Sequence, residues 1–290
     1  MFGSIKKKVR FRVQSQCECL GEIKVQHVLP NKFVHAVGPF VFLQHIYSCK
    51  HSLNESTTRL GDRHSHPHRG MATLTYILVG EVEHLDSVEN HVKLNSGGAH
   101  WMKAGKGVIY DEFVSPSNCD ASVVQLWINL PSKHKGEEPD YFSLLPNEIP
   151  KQNLDDCTGW IKVLSGEYTG LSAKIPSYSK EFAYPIQLES QKKISIKTEK
   201  TFEYAAFLPS SRAIINDIKF QAGEFIVFTS FGEMIEIDNK AEKAIDIILL
   251  GGEPYDEPIV TEGNFVMNTP HEITQAYNDY YDGKYGKGKS

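Results

Sequence analysis

The sequence predicts a mainly β protein with more than one barrel or sandwich and a single C-terminal helix. Three observations carry that prediction. Short apolar runs rich in Val, Ile, Phe and Tyr recur along the chain: Val37 to Leu43, Ala72 to Val79, Val123 to Leu130, Ile194 to Lys197 and Phe225 to Phe228. Gly, Pro, Asn or Asp break many of these runs, and their lengths suit strands rather than helices. A capped helical pattern occurs only near the end, and 290 residues suit one large domain or two of about 150.

Composition narrows the function classes. With 40% hydrophobic and 23% charged residues, disorder is excluded as the main state. No run approaches the roughly 18 apolar residues of a membrane helix. A net charge of -5 opposes a broad electrostatic grip on nucleic acid.

Taken in chain order, the N-terminus carries Lys6, Lys7, Lys8, Arg10 and Arg12 but no apolar core of a secretory signal. Val9, Phe11 and Val13 alternate with Arg10 and Arg12, the pattern of a half-exposed strand with a solvated basic face. The five cysteines cannot all pair and include no CxxC; Cys17 and Cys19, two apart, could share a strand face. Free thiols of a reducing compartment are expected, and with no sorting signal the expected location is cytoplasmic.

Eleven of the twelve histidines lie at or before His134, so imidazole chemistry belongs to the first half. Ser132 to Gln152, rich in Pro and charge, reads as the connection between two β domains, an N-terminal one over residues 1–145 and a C-terminal one over 146–290. The second half repeats the strand-and-turn style, as in Phe220 to Phe228, without the histidines. It is expected to be a similar barrel with a packed interior and no metal ligands. Thr269, Pro270 and Glu272 then form a capping box with proline in the first turn. Ile273, Ala276, Tyr277 and Tyr280 fall on one stripe, and Gly283 ends a helix of about 270–283.

The chemistry concentrates in His64-Ser-His66-Pro-His68-Arg-Gly70 and in Gly97 to Glu112. Residues i and i+2 of an extended chain point the same way, so His66 and His68 can aim at one point, and Tyr110 and Glu112 can share a face. Two imidazoles and a carboxylate form the facial set of non-haem iron sites. A surface histidine pair is the plainer reading of the same spacing. Of the other histidines, His84, His100 and His64 each read first as surface or hydrogen-bonded strand residues. Arg69 is expected to pair with Asp86 or Glu112. Trp101 and Met102 read as core packing, and Gly105 and Gly107 as tight-turn glycines. If Glu112 faces inward, Asp111 must face out.

Several motifs together resemble the pirin family. These are HPHRG, His84-Leu-Asp86-Ser87, His100 to Gly107 (HWMKAGKG) and the acidic pair that follows. Val37 to His45, Gly252 to Val260 and Phe265 to Thr269 add to them. The resemblance implies a bicupin, two face-to-face cupin-type barrels. It implies an iron-binding protein whose relatives include quercetin 2,3-dioxygenases and redox-sensitive co-regulators of transcription. It places metal ligands on His66, His68 and Glu112, while Tyr110 stands where the family has its third imidazole and Ala72 where a Glu is frequent. A histidine at position 84 is usual in the family, which puts His84 first among substitutes. The cofactor expected is one divalent or ferric ion, iron foremost, with a metal-free pocket as the alternative. Glu112 and Tyr110 are the expected catalytic groups of a non-haem dioxygenase acting on flavonol-like substrates; the alternative is a regulatory protein that binds a ligand or partner without catalysis. A small aromatic ligand or a protein partner is expected, but no membrane and no direct nucleic-acid contact.

Overall fold

Alternation at the N-terminus becomes a strand, Val9–Gln14, whose apolar residues are half-buried and whose polar ones are exposed. The computed structural model describes residues 5–20, 23–48, 58–60, 65–115 and 121–286. Strands dominate it, and Pro270–Tyr281 is the one α-helix among the described residues. The mainly β class holds.

Two compact units divide the chain, but not at a single cut. One comprises residues 17–29, 40–148 and 256–290, and the other 1–16, 30–39 and 149–255. Their boundary at 148/149 falls inside the expected connection, three residues from 145/146. The simple halves are nevertheless corrected in two ways: the first strand belongs with the later residues, and the C-terminal helix with the earlier ones. Pairing explains this, because Phe11 lies opposite Val227 in one ladder and the helix packs on Phe265–Met267, which itself bridges to Arg69.

In the histidine-bearing unit, a seven-stranded sheet runs Asp140–Leu144, Ala99–Lys103, Met71–Val79, Ser122–Asn129, Phe40–Ser48, Ile23–Leu29, Gln16–Leu20. A smaller sheet runs Thr58–Leu60, Val108–Ser115, Glu81–Asp86, His91–Asn95, with His66–His68 also paired to Val108–Ser115. Because successive residues alternate faces, register sets which side chains meet. Ile23, Val25, Ile46, Ile77, Val82, Leu94, Val114 and Val123 form an apolar floor at one end. One step along each strand pair, polar residues replace them.

The other unit combines seven strands, ordered Val9–Gln14, Glu224–Phe228, Glu203–Phe207, Ile245–Gly252, Glu181–Leu188, Gly159–Lys162, Lys151–Asn153, with a four-stranded sheet. Ile196, Ile215, Phe220, Ile235 and Ile237 of the smaller sheet pack against Phe182, Ile226, Ile247 and Leu249 of the larger one. Its interior is a packed apolar core, and truncating one such residue would cost about 2–5 kcal/mol. The basic N-terminus is only partly a solvated face. Lys7 is buried, donating to the carbonyls of Thr229 and Ser230, and Lys6 pairs with Asp217 and Glu236.

The helix follows its sequence signals. Thr269 accepts from the Glu272 backbone N–H, Glu272 answers at the Thr269 N–H, and Ile273 and Ala276 are buried. It is too short and too polar to cross a membrane, as is every described helix. Cys17, Cys19 and Cys157 are free and exposed; Cys49, Cys119 and His64 lie outside the described residues.

Candidate metal centre

Cross-strand register assembles the centre. In the smaller sheet, Val82 lies opposite Val114, His84 opposite Glu112 and Asp86 opposite Tyr110. Tyr110 also lies opposite His66, and Val108 opposite His68. All these side chains therefore share one face. In the larger sheet, His100, Thr75, Gln125 and Gln44 form one row, and Met102, Thr73, Trp127 and Phe42 the next. The two faces meet: the His84 and His100 ring centroids lie 5.0 Å apart, and those of His68 and Trp127 5.1 Å apart.

At the centre lies Glu112, 0% exposed. Its Oε1 accepts from Thr75 Oγ1 at 3.1 Å and lies 2.6 Å from His100 Nε2, while Oε2 accepts from Gln125 Nε2 at 2.8 Å. The His100 contact is an ion-pair distance without the direction of a hydrogen bond, as when two groups converge on a common point. Burial pushes the Glu112 carboxyl up, but His100, His84 and Thr75 outweigh it and hold the group below its usual range. Gln125 has its amide orientation set by Trp127 and Gln44, both donating to Oε1.

His84 Nε2 lies 3.1 Å from Asp86 Oδ2, and His84 Nδ1 has no hydrogen-bond partner among the described residues. Burial outweighs Asp86 and lowers His84, so the imidazole is neutral with its Nδ1 lone pair unused. One donor atom from each of His84, His100 and Glu112 lies within 4.8 Å of the others. Donors of one ion bound at about 2.1 Å lie up to about 4.2 Å apart, so a small inward shift suffices. Two buried imidazoles and a buried carboxylate held below its usual range fit a divalent cation of the zinc, iron or nickel class.

The four residues expected to hold the ion do gather in one interior. His66 and His68 ring centroids are 4.9 Å apart, and each contacts the Tyr110 ring, at 4.9 and 4.6 Å. Tyr110 Oη accepts from the same Gln125 Nε2 that serves Glu112. Burial and the Glu112 charge raise the phenol well above its ordinary value, so it keeps its proton and is a poor metal donor. His68 is fully buried, and neither ring nitrogen has a hydrogen-bond partner among the described residues. Burial, then His66 and His84, hold it well below 6.5. Among the described His, Cys, Asp and Glu residues, the group with donor atoms within 4.8 Å of one another is His84, His100 and Glu112, which shares Glu112 with the expected set.

Other expectations need correcting. Of the two readings given for His84, the hydrogen-bonded strand residue holds, facing Asp86; neither His84 nor His100 is at the surface, each being 1% exposed. Arg69 pairs with neither Asp86 nor Glu112 but with Asp279 at 2.5 Å and Tyr285 Oη at 3.1 Å, because it alternates away from His68 toward the helix. Asp111 does turn to the face opposite Glu112 but is buried there. Trp101 is core, and Gly105 and Gly107 adopt positive φ. At Gly107 a Cβ would meet the Tyr285 ring at 2.1 Å, so only glycine fits. His100 and Asp86 carried too little signal alone, but Gln125 and Thr75, polar residues inside apolar runs, marked a polar interior.

Comparisons with known proteins bear on the fold and the family. A family model described as Pirin matches residues 22–128, and one described as Pirin C-terminal cupin domain matches residues 183–286. Human pirin is 33% identical over 232 residues, 79% of this chain and 79% of the human protein. A pirin-like protein of Solanum lycopersicum is 34% identical over 229 residues, 78% of this chain and 77% of its own. Among solved structures, quercetin 2,3-dioxygenase from Acinetobacter baumannii matches with a TM-score of 0.87 at 28% identity, covering 97% of this chain and 99% of that one. With both parts matched in order and the fold shared from end to end, this bicupin chain belongs to the pirin family.

Proposed function

We propose that the protein is a metal-dependent oxidoreductase of the quercetin 2,3-dioxygenase type, acting on a planar, flavonol-like phenol, with the ion held by His84, His100 and Glu112. The observation that carries the reading is the buried His84–His100–Glu112 group, with His84 Nδ1 unused and Nε2 facing Asp86. The solved relative named as a quercetin 2,3-dioxygenase supports the reaction class. Iron is the ion expected. When bound, an ion of this kind supplies Lewis acidity toward a phenolic oxygen and open positions for substrate and dioxygen.

The chain's own residues then divide the work. Glu112 is ionised, and its Oε2, next to Gln125, is placed to accept the phenolic proton. Tyr110 keeps its proton and is the donor available to a substrate oxygen. Trp127, Tyr110 and His68 offer ring faces and edges to a flat ligand, and the apolar floor of Ile77, Val82 and Val114 limits water on the far side.

The test is elemental analysis of protein purified without chelators, paired with oxygen uptake on quercetin. One equivalent of metal is expected, lost in His84→Ala and His100→Ala but largely retained in His66→Ala. Loss of metal in His66→Ala with retention in His100→Ala would return the ion to the family's positions. One observation favours a second reading, a ligand- or partner-binding regulator: Tyr110 occupies the place of the family's third imidazole. Full metal occupancy without oxygen uptake would select it.

A further inference from the structure

A separate cleft opens in the other unit, on residues the metal chemistry does not use. It measures about 720 Å³ and is lined by the Glu167–Ser172 hairpin, the start of Glu181–Leu188, residues 199–202 and Glu253. Glu181 lines it and is 3% exposed. Its donors are all neutral: Ser165 at 3.0 Å on Oε1, Ser179 at 2.7 Å on Oε2, its own backbone N–H, and Ser177 at 2.9 Å on Oε1, whose single proton is shared with the Ser179 carbonyl. Among the described residues no basic side chain pairs with it. Serine hydroxyls orient this carboxyl, and burial raises it above the usual carboxylate range; a cation completing the site would supply the countercharge that holds it ionised.

The walls fit the body of such a cation. Phe182 stacks on Phe202 with centroids 6.1 Å apart and planes 7° apart, and packs on Tyr184 at 4.8 Å. These three rings line the cleft. Phe182 also contacts Tyr204, whose ring carries the Lys7 ammonium at 5.2 Å, so this aromatic cluster already holds one amine on its π surface. Lys180, the basic residue of the lining, is engaged by Glu253 at 2.7 Å.

We propose that this cleft is a second ligand site, selective for a small organic ammonium ion with an apolar or aromatic body. The ammonium would donate to Glu181, and its body would lie against Phe202. A neutral polyol would use the serines equally well but would leave the carboxylate without a countercharge. A carboxylate ligand would be repelled.

The probe is 2-phenylethylamine, titrated calorimetrically into the full-length protein, with 2-phenylethanol and 3-phenylpropanoate as neutral and anionic counterparts. The amine is expected to bind at one equivalent, at least 10-fold tighter than the alcohol, with no binding of the acid. Glu181→Gln, close to isosteric, should weaken the amine 10- to 100-fold, the range of a charge-assisted hydrogen bond. Phe202→Ala should weaken it several-fold and covers the case in which the first variant misfolds. Glu112→Gln should leave amine binding unchanged. No amine binding at millimolar concentration, equal binding of alcohol and amine, an unaffected Glu181→Gln protein, or loss of binding in Glu112→Gln would each overturn the proposal.

Discussion

Asp86 Oδ2 lies 3.1 Å from Nε2 of His84, and both side chains are buried in the same barrel face. Asp86 is itself held by the backbone N–H groups of Val88 and Asn90 and by the Asn90 amide. Burial pushes Asp86 up, but His84 and Asn90 outweigh it and keep the carboxylate ionised. The imidazole that faces Glu112 is therefore aimed, and its tautomer set, by the turn that follows its own strand.

Asp86→Asn should thus weaken the centre without removing any donor. A loss of about 10- to 100-fold in metal affinity is expected, measured by competition with a chromophoric chelator. An unchanged affinity would show that the ion does not use His84.

Tyr110→His replaces a protonated phenol with an imidazole beside His66, His68 and Glu112. Metal affinity should rise, and His66→Ala, neutral to metal content in the native background, should become damaging in this one. If the substitution leaves both affinity and the His66 dependence unchanged, position 110 lies outside the ion's reach.

Lys135 is a structural hydrogen-bond donor of the same unit, lowered by burial to about 7. Its buried Nζ donates to the carbonyl oxygens of Gly70 and Val266, each at 2.7 Å, and to Asn129 Oδ1 at 2.5 Å. Lys135→Met would take the donor from the Val266 carbonyl and Asn129 Oδ1, while Gly70 O keeps a longer bond from the Leu130 N–H at 3.3 Å, so a destabilisation of roughly 2 kcal/mol or more is expected from urea unfolding. A midpoint within experimental error of the native one would mean that water replaces the Lys135 Nζ.

Acid sensitivity should follow the buried histidines. His45 sits between Gln26 and Ser122, and burial lowers it to about 3. Its folded value lies below that of the unfolded chain, so the stability it supports is fully present above about pH 6.5 and is lost as pH falls toward 3. The slope approaches about 1.4 kcal/mol per pH unit within that window. His68 and His84 act in the same direction. Urea titrations between pH 7 and 4 should show a shallower slope for His45→Gln than for the native protein; parallel slopes would exclude His45 as a source.

Much of the arrangement was legible from residues alone. Period-two alternation gave the strands, and Thr269, Pro270 and Glu272 gave the helix start, because both are local signals. The gathering of His66, His68, Tyr110 and Glu112 was also legible, since i and i+2 residues share a face whatever their partners. What could not be read was register between distant strands. Glu112 lies opposite His84 and His100 opposite Thr75, and a slip of one residue would turn each outward. The halves failed for a related reason: composition marks a connection, but it cannot show that residues 9–14 pair with 224–228.

That long-range pairing bears on how the protein is made. Phe11 and Val227 are separated by 216 positions, the difference of their numbers, yet sit opposite each other. At 5–20 residues per second, a ribosome would take roughly 10–40 s to supply the second after the first. Throughout that interval the leading strand is a nascent segment with an unoccupied ladder edge, and cells must shelter it until translation delivers its mate.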